Sequence, residues 1–376
     1  MKEKKYLNRQ NHNRIVISGG GTGGHIFPAI SIANAVRKID PDSEILFVGA
    51  SGRMEMEKIP SAGYEIVGLP VAGFNRKKPF ENISVLIRLY KSMRIAKKIL
   101  EEFKPDVVVG VGGYASGPIL RQAAKLGIPI LIQEQNSYAG ITNKLMAKKA
   151  SVVCVAYDGM EKYFPSGKIV KTGNPVRQNF DNIIDLKNEA LSFFKLSGKH
   201  PVILVLGGSL GAGSINKSLS ENIRKMIDSD SQWIWQTGKN YYQDVYALVS
   251  VNFAGNIAVH DFIERMHYAY AAADIIVSRA GAGTISELCL VGKPVILIPS
   301  PNVAEDHQTK NATALVNNEA AILVPDKLAT ERLVQEALSL VSDAEKRKTL
   351  SSNIAKLAER DSDIRIAKEV MKLIKP

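Results

Sequence analysis

Residues 14–29 read RIVISGGGTGGHIFPA, and this stretch decides the fold. Arg14–Ser18 is an apolar, β-branched run, which predicts a buried strand. Gly19-Gly20-Gly21-Thr22-Gly23-Gly24-His25 follows at once, and the residues after it continue with helical spacing. Glycine admits positive φ and lets backbone N–H groups approach a ligand with no Cβ in the way. The helix start that the loop opens carries about half a positive charge. Strand, glycine loop and helix together predict an anion cradle; the simpler reading is a tight strand-to-helix turn.

The pattern returns at Val202–Ser218, where VILVL runs into Gly207-Gly208-Ser209-Leu210-Gly211-Ala212-Gly213 and then a helix. Between and after these starts lie further strand-like runs at 44–50, 107–113, 129–135, 151–157, 233–238, 256–262, 275–281 and 294–300, with helical periodicity between them, as at Ile83–Leu100. Buried runs alternating with helices predict parallel α/β sheets. Two β–glycine loop–α starts predict two Rossmann-like domains facing a cleft, 14–175 and 176–350. The C-terminal helical segment 351–376 is expected to pack back on the first. Ligands in such sheets sit at the carboxyl ends of the strands.

Composition limits the function classes. The 376 residues are 45% hydrophobic and 23% charged, an ordinary globular balance. No uninterrupted apolar run approaches a membrane span. The N-terminal MKEKKYLNRQNHNR lacks the apolar core of a secretory signal. Cys154 and Cys289 sit in apolar runs without ligand spacing and read as buried free thiols. A net charge of +12 fits an anionic partner: nucleic acid, acidic lipid or a phosphorylated substrate.

Gly19, Gly21 and Gly24 match G-x-G-x-x-G, so a nicotinamide or flavin enzyme is a rival reading. That fingerprint needs an acid at the end of the next strand, and here the strand ends Phe47-Val48-Gly49-Ala50. Gly-Lys pairs at Gly238-Lys239 and Gly292-Lys293 lack the rest of a P-loop. Asp228-Ser229-Asp230 matches the Asp-x-Asp of metal-dependent sugar transferases but falls in a polar turn after a helix. No His/Cys cluster offers another metal site, so no metal and no cofactor are expected. A third glycine loop, Arg279–Glu287, follows the strand near 275–278. There Thr284 and Glu287 have the spacing of a capping box, while Glu287 is equally placed to accept from ribose hydroxyls.

GGGTGGHIFPA, GVGGYASGP, QEQNSYAGITNK, TGNPVR, LGGSLGA, the FIERM–AYAAAD stretch and SRAGAGTISE followed by HQTKNA occur in this order over residues 14–320. The set resembles the MurG family, the bacterial peptidoglycan N-acetylglucosaminyltransferases of the GT-B fold. The resemblance implies inverting transfer of N-acetylglucosamine from its UDP ester to the C4 hydroxyl of lipid-linked N-acetylmuramoyl-pentapeptide. It places the donor mostly in the second half and the acceptor in the first, with the protein peripheral on the cytoplasmic face of the inner membrane. It implies a UDP-N-acetylglucosamine site lined by Thr22, Gly23, Gly24, Asn136, Arg177, Ser209, Ile263, Ala282, Gly283, Thr284, Ile285, Ser286, Glu287 and Gln308. Ile263 would meet the uracil through its backbone, Glu287 the ribose, and Gln308 and Asn136 the sugar hydroxyls. Other UDP-sugar-dependent lipid glycosyltransferases share the glycine loops. Three positions depart from the family pattern: Gln133 stands where His is common, Leu210 where Gln is, and Gly283 where a larger apolar residue is.

An inverting transfer needs a base beside the acceptor hydroxyl. His25 follows a glycine loop, and imidazole is the side-chain type whose ordinary range suits a general base; Glu134, at the end of PILIQ, is the rival catalytic residue. Phe74–Lys104 carries nine basic residues, Arg76, Lys77, Lys78, Arg88, Lys91, Arg94, Lys97, Lys98 and Lys104, against Glu81, Glu101 and Glu102. Apolar Phe80, Ile83, Val85, Leu86, Ile87, Leu89 and Tyr90 interleave with them. This reads as a solvated helix face or as a patch for an anionic membrane surface. No nucleic-acid motif accompanies the charge, and no nucleic-acid partner is expected.

Overall fold

The computed structural model describes residues 12–71, 82–176, 183, 185–208, 210–252 and 254–374. These form two compact units. One holds the residues up to Val176 and those from Asp361 onward; the other holds the residues between, ending at Arg360.

The first unit runs β1 (Arg14–Gly19), α1 (Gly23–Ile39), β2 (Glu44–Ala50), α2 (Glu55–Ser61), β3 (Glu65–Leu69), α3 (Asn82–Phe103), β4 (Val107–Gly112), α4 (Ser116–Leu126), β5 (Ile130–Glu134), α5 (Ile141–Met146), β6 (Val152–Val155) and β7 (Ile169–Lys171). The strands make one sheet in the order β3-β2-β1-β4-β5-β6-β7. All pairings are parallel, with Ile15 level with Ile45 on one side and Val107 on the other. Alternate residues feed two cores. Ile15, Ile17, Phe47 and Val109 pack with Ile26, Ile32 and Val36 of α1. Val16, Leu46, Val48 and Val108 pack with Leu100 of α3 and Ile119 and Leu120 of α4. Burial on both faces is why these strands read as continuous apolar runs.

The second unit runs α6 (Lys187–Phe193), β8 (Val202–Leu206), α7 (Gly213–Glu221), α8 (Ile223–Ile227), β9 (Gln232–Gln236), α9 (Tyr242–Val251), β10 (Ile257–His260), α10 (Met266–Ala272), β11 (Ile275–Ser278), α11 (Ala282–Val291), β12 (Val295–Leu297), α12 (His307–Val316), β13 (Ile322–Leu323), α13 (Ala329–Ser342) and α14 (Ala344–Lys356). Its sheet, β10-β9-β8-β11-β12-β13, is also parallel throughout.

In both sheets the strand order reverses at one point, between β1 and β4 and between β8 and β11. Connections leave those two strands in opposite directions and open a crevice at their carboxyl ends. All three glycine loops singled out in the sequence follow strands β1, β8 and β11, which border these crevices.

The C-terminal stretch 351–376, expected as one helical segment on the first domain, is split. Leu350 and Ile354 of α14 pack in the second unit. Only α15 (Ser362–Leu373) belongs to the first, where Ile366, Ala367 and Val370 share the core of α1. The polar run Glu359-Arg360-Asp361 interrupts the apolar spacing, and Asp361 turns the chain at φ +53°. Strands β3, β7 and β13 escape the sequence reading because they are short, five, three and two residues, and only partly buried.

Candidate active site

In the first unit the loop after β1 turns at Gly21, φ +88°. The helix α1 then begins with Thr22 as N-cap, with no side-chain cap and no acid in its first turn. Its first N–H groups therefore lack intrahelical partners and face outward as donors. Thr22 and Gly24 are exposed and Gly23 half-buried.

His25, in the first turn of α1, is half-buried. Its Nδ1 lies 3.2 Å from the Gly20 carbonyl oxygen and 3.4 Å from Thr22 Oγ1. With Nδ1–H donating to the carbonyl, the neutral ring carries its lone pair on Nε2. That Nε2 edge is turned toward the end of β4, where a Cβ on Gly112 would stand 2.9 Å from it. A Cβ on Gly113 would stand 2.4 Å from the Gly20 oxygen. The Gly112-Gly113 pair of GVGGYASGP thus makes room for His25 and its carbonyl partner.

Glu134 at the end of β5 is buried, 1% exposed. Its Oε1 accepts from the Asn136 N–H at 3.0 Å and the Asn136 side chain at 3.2 Å. Its Oε2 accepts from the Gly140 N–H and from Asn143 Nδ2, both at 2.9 Å. Both oxygens are occupied in shaping the 134–143 loop and presenting Asn136. Around it the buried amides interlock: Gln133 donates to Asn174 Oδ1 at 3.1 Å, Gln135 donates to Gln133 and to the Val111 carbonyl, and Asn174 donates to the Gln135 carbonyl. Gln133 therefore fills a structural amide position, and TGNPVR contributes through Asn174.

In the second unit α7 and α11 start at Gly213 and Ala282 with N-caps Ala212 and Gly281; neither has a side-chain cap or an acid in its first turn. Two helix starts without a side-chain cap among the described residues thus flank the β8/β11 crevice. Arg279, between them, does not point a bare charge at it. Its Nη1 pairs with Asp326 and donates to the Ile298 carbonyl at 3.0 Å, and its Nη2 donates to Ser214 Oγ at 2.9 Å. The guanidinium ties the start of α7 to the loop after β11.

The capping-box reading of Thr284 and Glu287 is corrected: because α11 begins at Ala282, Thr284 lies inside the first turn and cannot be the N-cap. Glu287, a turn further on, accepts from Tyr270 Oη at 3.2 Å. Ala282, Gly283, Thr284 and Ser286 are half-buried on the first turns. Ile285 is 2% exposed and its side chain belongs to the core. Gln308 uses Oε1 to accept from the Ala280 N–H at 3.2 Å and the Ser300 N–H at 2.8 Å, joining the loops after β11 and β12. The Ile263 N–H donates to Gln236 Oε1 at 3.0 Å. Leu210 is 68% exposed. Arg177 and Ser209 lie outside the described residues. Asp228-Ser229-Asp230 follows α8 and precedes β9, at the amino ends of the parallel strands, opposite the crevice.

Sequence reasoning missed Glu55, Gln236 and the Arg279–Asp326 pair. Each acts on neighbouring loops through tertiary contacts, and only Glu55 left a trace, in the glycines that surround it.

Two family models match the chain: the glycosyltransferase family 28 N-terminal domain over residues 15–155 and the family 28 C-terminal domain over residues 202–366. The UDP-N-acetylglucosamine--N-acetylmuramyl-(pentapeptide) pyrophosphoryl-undecaprenol N-acetylglucosamine transferase of Parabacteroides distasonis is 60% identical over 96% of this chain and 98% of its own. The protein of the same name from Porphyromonas gingivalis is 54% identical over 98% of each. The crystal structure of MurG from Acinetobacter baumannii is 26% identical, covers 96% of this chain and 99% of its own, and superposes with a TM-score of 0.79. The crystal structure of UDP-GlcNAc 2-epimerase from Neisseria meningitidis, 16% identical and covering 96% of this chain and 100% of its own, shares the fold with a TM-score of 0.64. From these likenesses and the two glycine-lined crevices, the chain belongs to the MurG family of glycosyltransferases, within glycosyltransferase family 28.

Proposed function

We propose that the chain moves N-acetylglucosamine, with inversion, from UDP-N-acetylglucosamine to the C4 hydroxyl of undecaprenyl-pyrophosphoryl-N-acetylmuramoyl-pentapeptide. The observation that carries this reading is the pair of acid-free, uncapped helix starts at the β8/β11 crevice, matched by His25 at the β1/β4 crevice. The helix starts of α7 and α11 receive the diphosphate, Glu287 the ribose and Gln308 the sugar. His25 Nε2 takes the proton of the acceptor hydroxyl as its oxygen bonds to the anomeric carbon. The bond from that carbon to the diphosphate breaks, and UDP leaves with the electron pair. Charge grows on the diphosphate in the transition state, where a well-aimed N–H donor contributes about 2.7–4 kcal/mol. Glu134 organises the loop that presents Asn136.

No helix among the described residues is long and apolar enough to cross a membrane. The acceptor is lipid-linked, and α3 supplies the surface for reaching it. Leu86, Ile87 and Tyr90 are 55%, 54% and 64% exposed beside Arg88, Lys91 and Arg94. Lys97 and Lys98 instead pair with Glu101 and Glu102 one turn on. The membrane face is therefore the first half of the helix; Arg76, Lys77, Lys78 and Phe80 lie outside the described residues.

The test is a transfer assay with UDP-N-acetylglucosamine and the lipid-linked muramoyl acceptor, with and without chelator. Product at equal rates in both is expected. No transfer to this acceptor overturns the reading, and loss with chelator overturns metal-free departure of UDP.

A further inference from the structure

Glu55, in the first turn of α2, is fully buried, yet the mechanism above does not use it. Its Oε1 accepts from the Ala50 N–H at 2.9 Å, and its two oxygens lie 3.1 and 3.2 Å from the Gly21 nitrogen. The Gly21 N–H and the Gly20 carbonyl belong to one peptide group, and that carbonyl accepts from His25 Nδ1 at 3.2 Å. A peptide group is planar, so fixing its N–H fixes the direction of its C=O. We infer that Glu55 is a positioning residue for the transfer: through the Gly20–Gly21 peptide it holds His25 in the tautomer with Nδ1 protonated and Nε2 able to accept a proton. This rests on the reading of His25 as the base.

The carboxylate orients the peptide from one end and the imidazole reads it at the other. Hydrogen bonds in such a chain also polarise one another. The fold makes room for the arrangement. A Cβ on Gly20 would stand 2.1 Å from Glu55 Oε1, and one on Gly49 would stand 2.7 Å from its Cγ. Gly49 lies in the middle of the sheet pairing with β3, where glycine has no conformational reason to be. Its missing side chain is the slot that admits Glu55.

The test uses the full-length protein with 15N-labelled histidine, His25 being assigned from the spectrum of His25→Gln. Wild type is expected to show His25 with Nδ1 protonated and Nε2 unprotonated. Glu55→Gln keeps the shape of the side chain and removes the charge. It is expected to mix the tautomers and lower kcat roughly 10- to 100-fold, by analogy with the loss when the partner that orients a metal-ligating histidine is removed. The KM for UDP-N-acetylglucosamine should stay within about twofold, as for an interaction that matters only in the transition state. A wild-type His25 protonated mainly on Nε2 overturns the inference without recourse to any variant. So does a Glu55→Gln protein with the wild-type His25 spectrum. Full turnover by His25→Ala would instead remove the base reading while leaving the tautomer result standing, so the two failures are distinct.

Discussion

Gly238 and Gly211 cross so closely that a Cβ on Gly238 would stand 2.1 Å from the Gly211 amide nitrogen. Both have positive φ, +80° and +85°. The loops after β8 and β9 therefore hold each other in place through two missing side chains, and the start of α7 depends on that contact. Gly238→Ala forces both an unfavourable φ and a backbone overlap. It should cost about 2 kcal/mol or more in stability and weaken UDP binding. Chemical denaturation and calorimetry read the two effects, and an unchanged melt with unchanged UDP affinity would refute the contact's role.

Glu287 is not a helix cap, so its removal should separate binding from stability. Losing the hydrogen bond from Tyr270 costs about 1 kcal/mol. Loss of two ribose contacts should weaken UDP binding at least about tenfold, or 1.4 kcal/mol. Thr284→Val tests the opposite corner, because a capping residue would lose helix stability there and this one should not. Equal UDP affinity in wild type and Glu287→Ala would take the ribose out of the assignment.

The two candidate bases should fail in different ways. His25→Ala should lower turnover by about 10²–10⁴-fold, the usual worth of a general base, with an unchanged melting temperature. Glu134→Ala leaves four donors without their acceptor and should destabilise by about 3 kcal/mol or more, since hydrogen bonds to a charged group contribute about 1.5–3 kcal/mol each. A stable Glu134→Ala protein that had lost only its turnover would return Glu134 to the role of base.

For α3, replacing Arg88, Lys91 and Arg94 with Gln should weaken binding to anionic vesicles by about 3 kcal/mol, at about 1 kcal/mol for each basic residue. Neutral vesicles should bind wild type and variant alike. Equal sedimentation of wild type with both vesicle types would show that the charge on this helix is only solvated.

Lys293 carries a pH dependence of its own. Its Nζ donates to the carbonyls of Tyr270 and Ala271 at 2.6 and 3.0 Å and to that of Ala273, closing the end of α10. Burial pushes its pKa down to about 8, against 10.5 for an ordinary lysine. Below pH 8 both folded and unfolded chains hold the proton, and the folded state carries the full desolvation penalty. Between about 8 and 10.5 the unfolded chain binds more protons, so stability contributed by this site rises with pH. Relative to Lys293→Met, wild type should therefore gain stability as pH increases through that window. A difference in denaturation free energy that stayed flat, or fell, would refute the assignment.

Local sequence determined the α/β class, the two β–glycine loop–α starts and the residues at their ends, because strand burial and glycine geometry act over a few neighbours. The basic, apolar-studded helix was legible for the same reason. What tertiary structure decided lies between distant residues. Thr284 and Glu287 have capping spacing, but the position of the helix start rules it out. Glu134 and His25 look alike as candidate bases until four donors are found on the carboxylate and one carbonyl behind the imidazole. Glu55 carries no motif, since its partners come from the ends of two other strands. Segment 351–376 looks like one helical stretch, yet packing assigns its two parts to different units. Hydrogen-bond satisfaction and core burial are properties of the assembled chain, and they separate surroundings that spacing alone left equal.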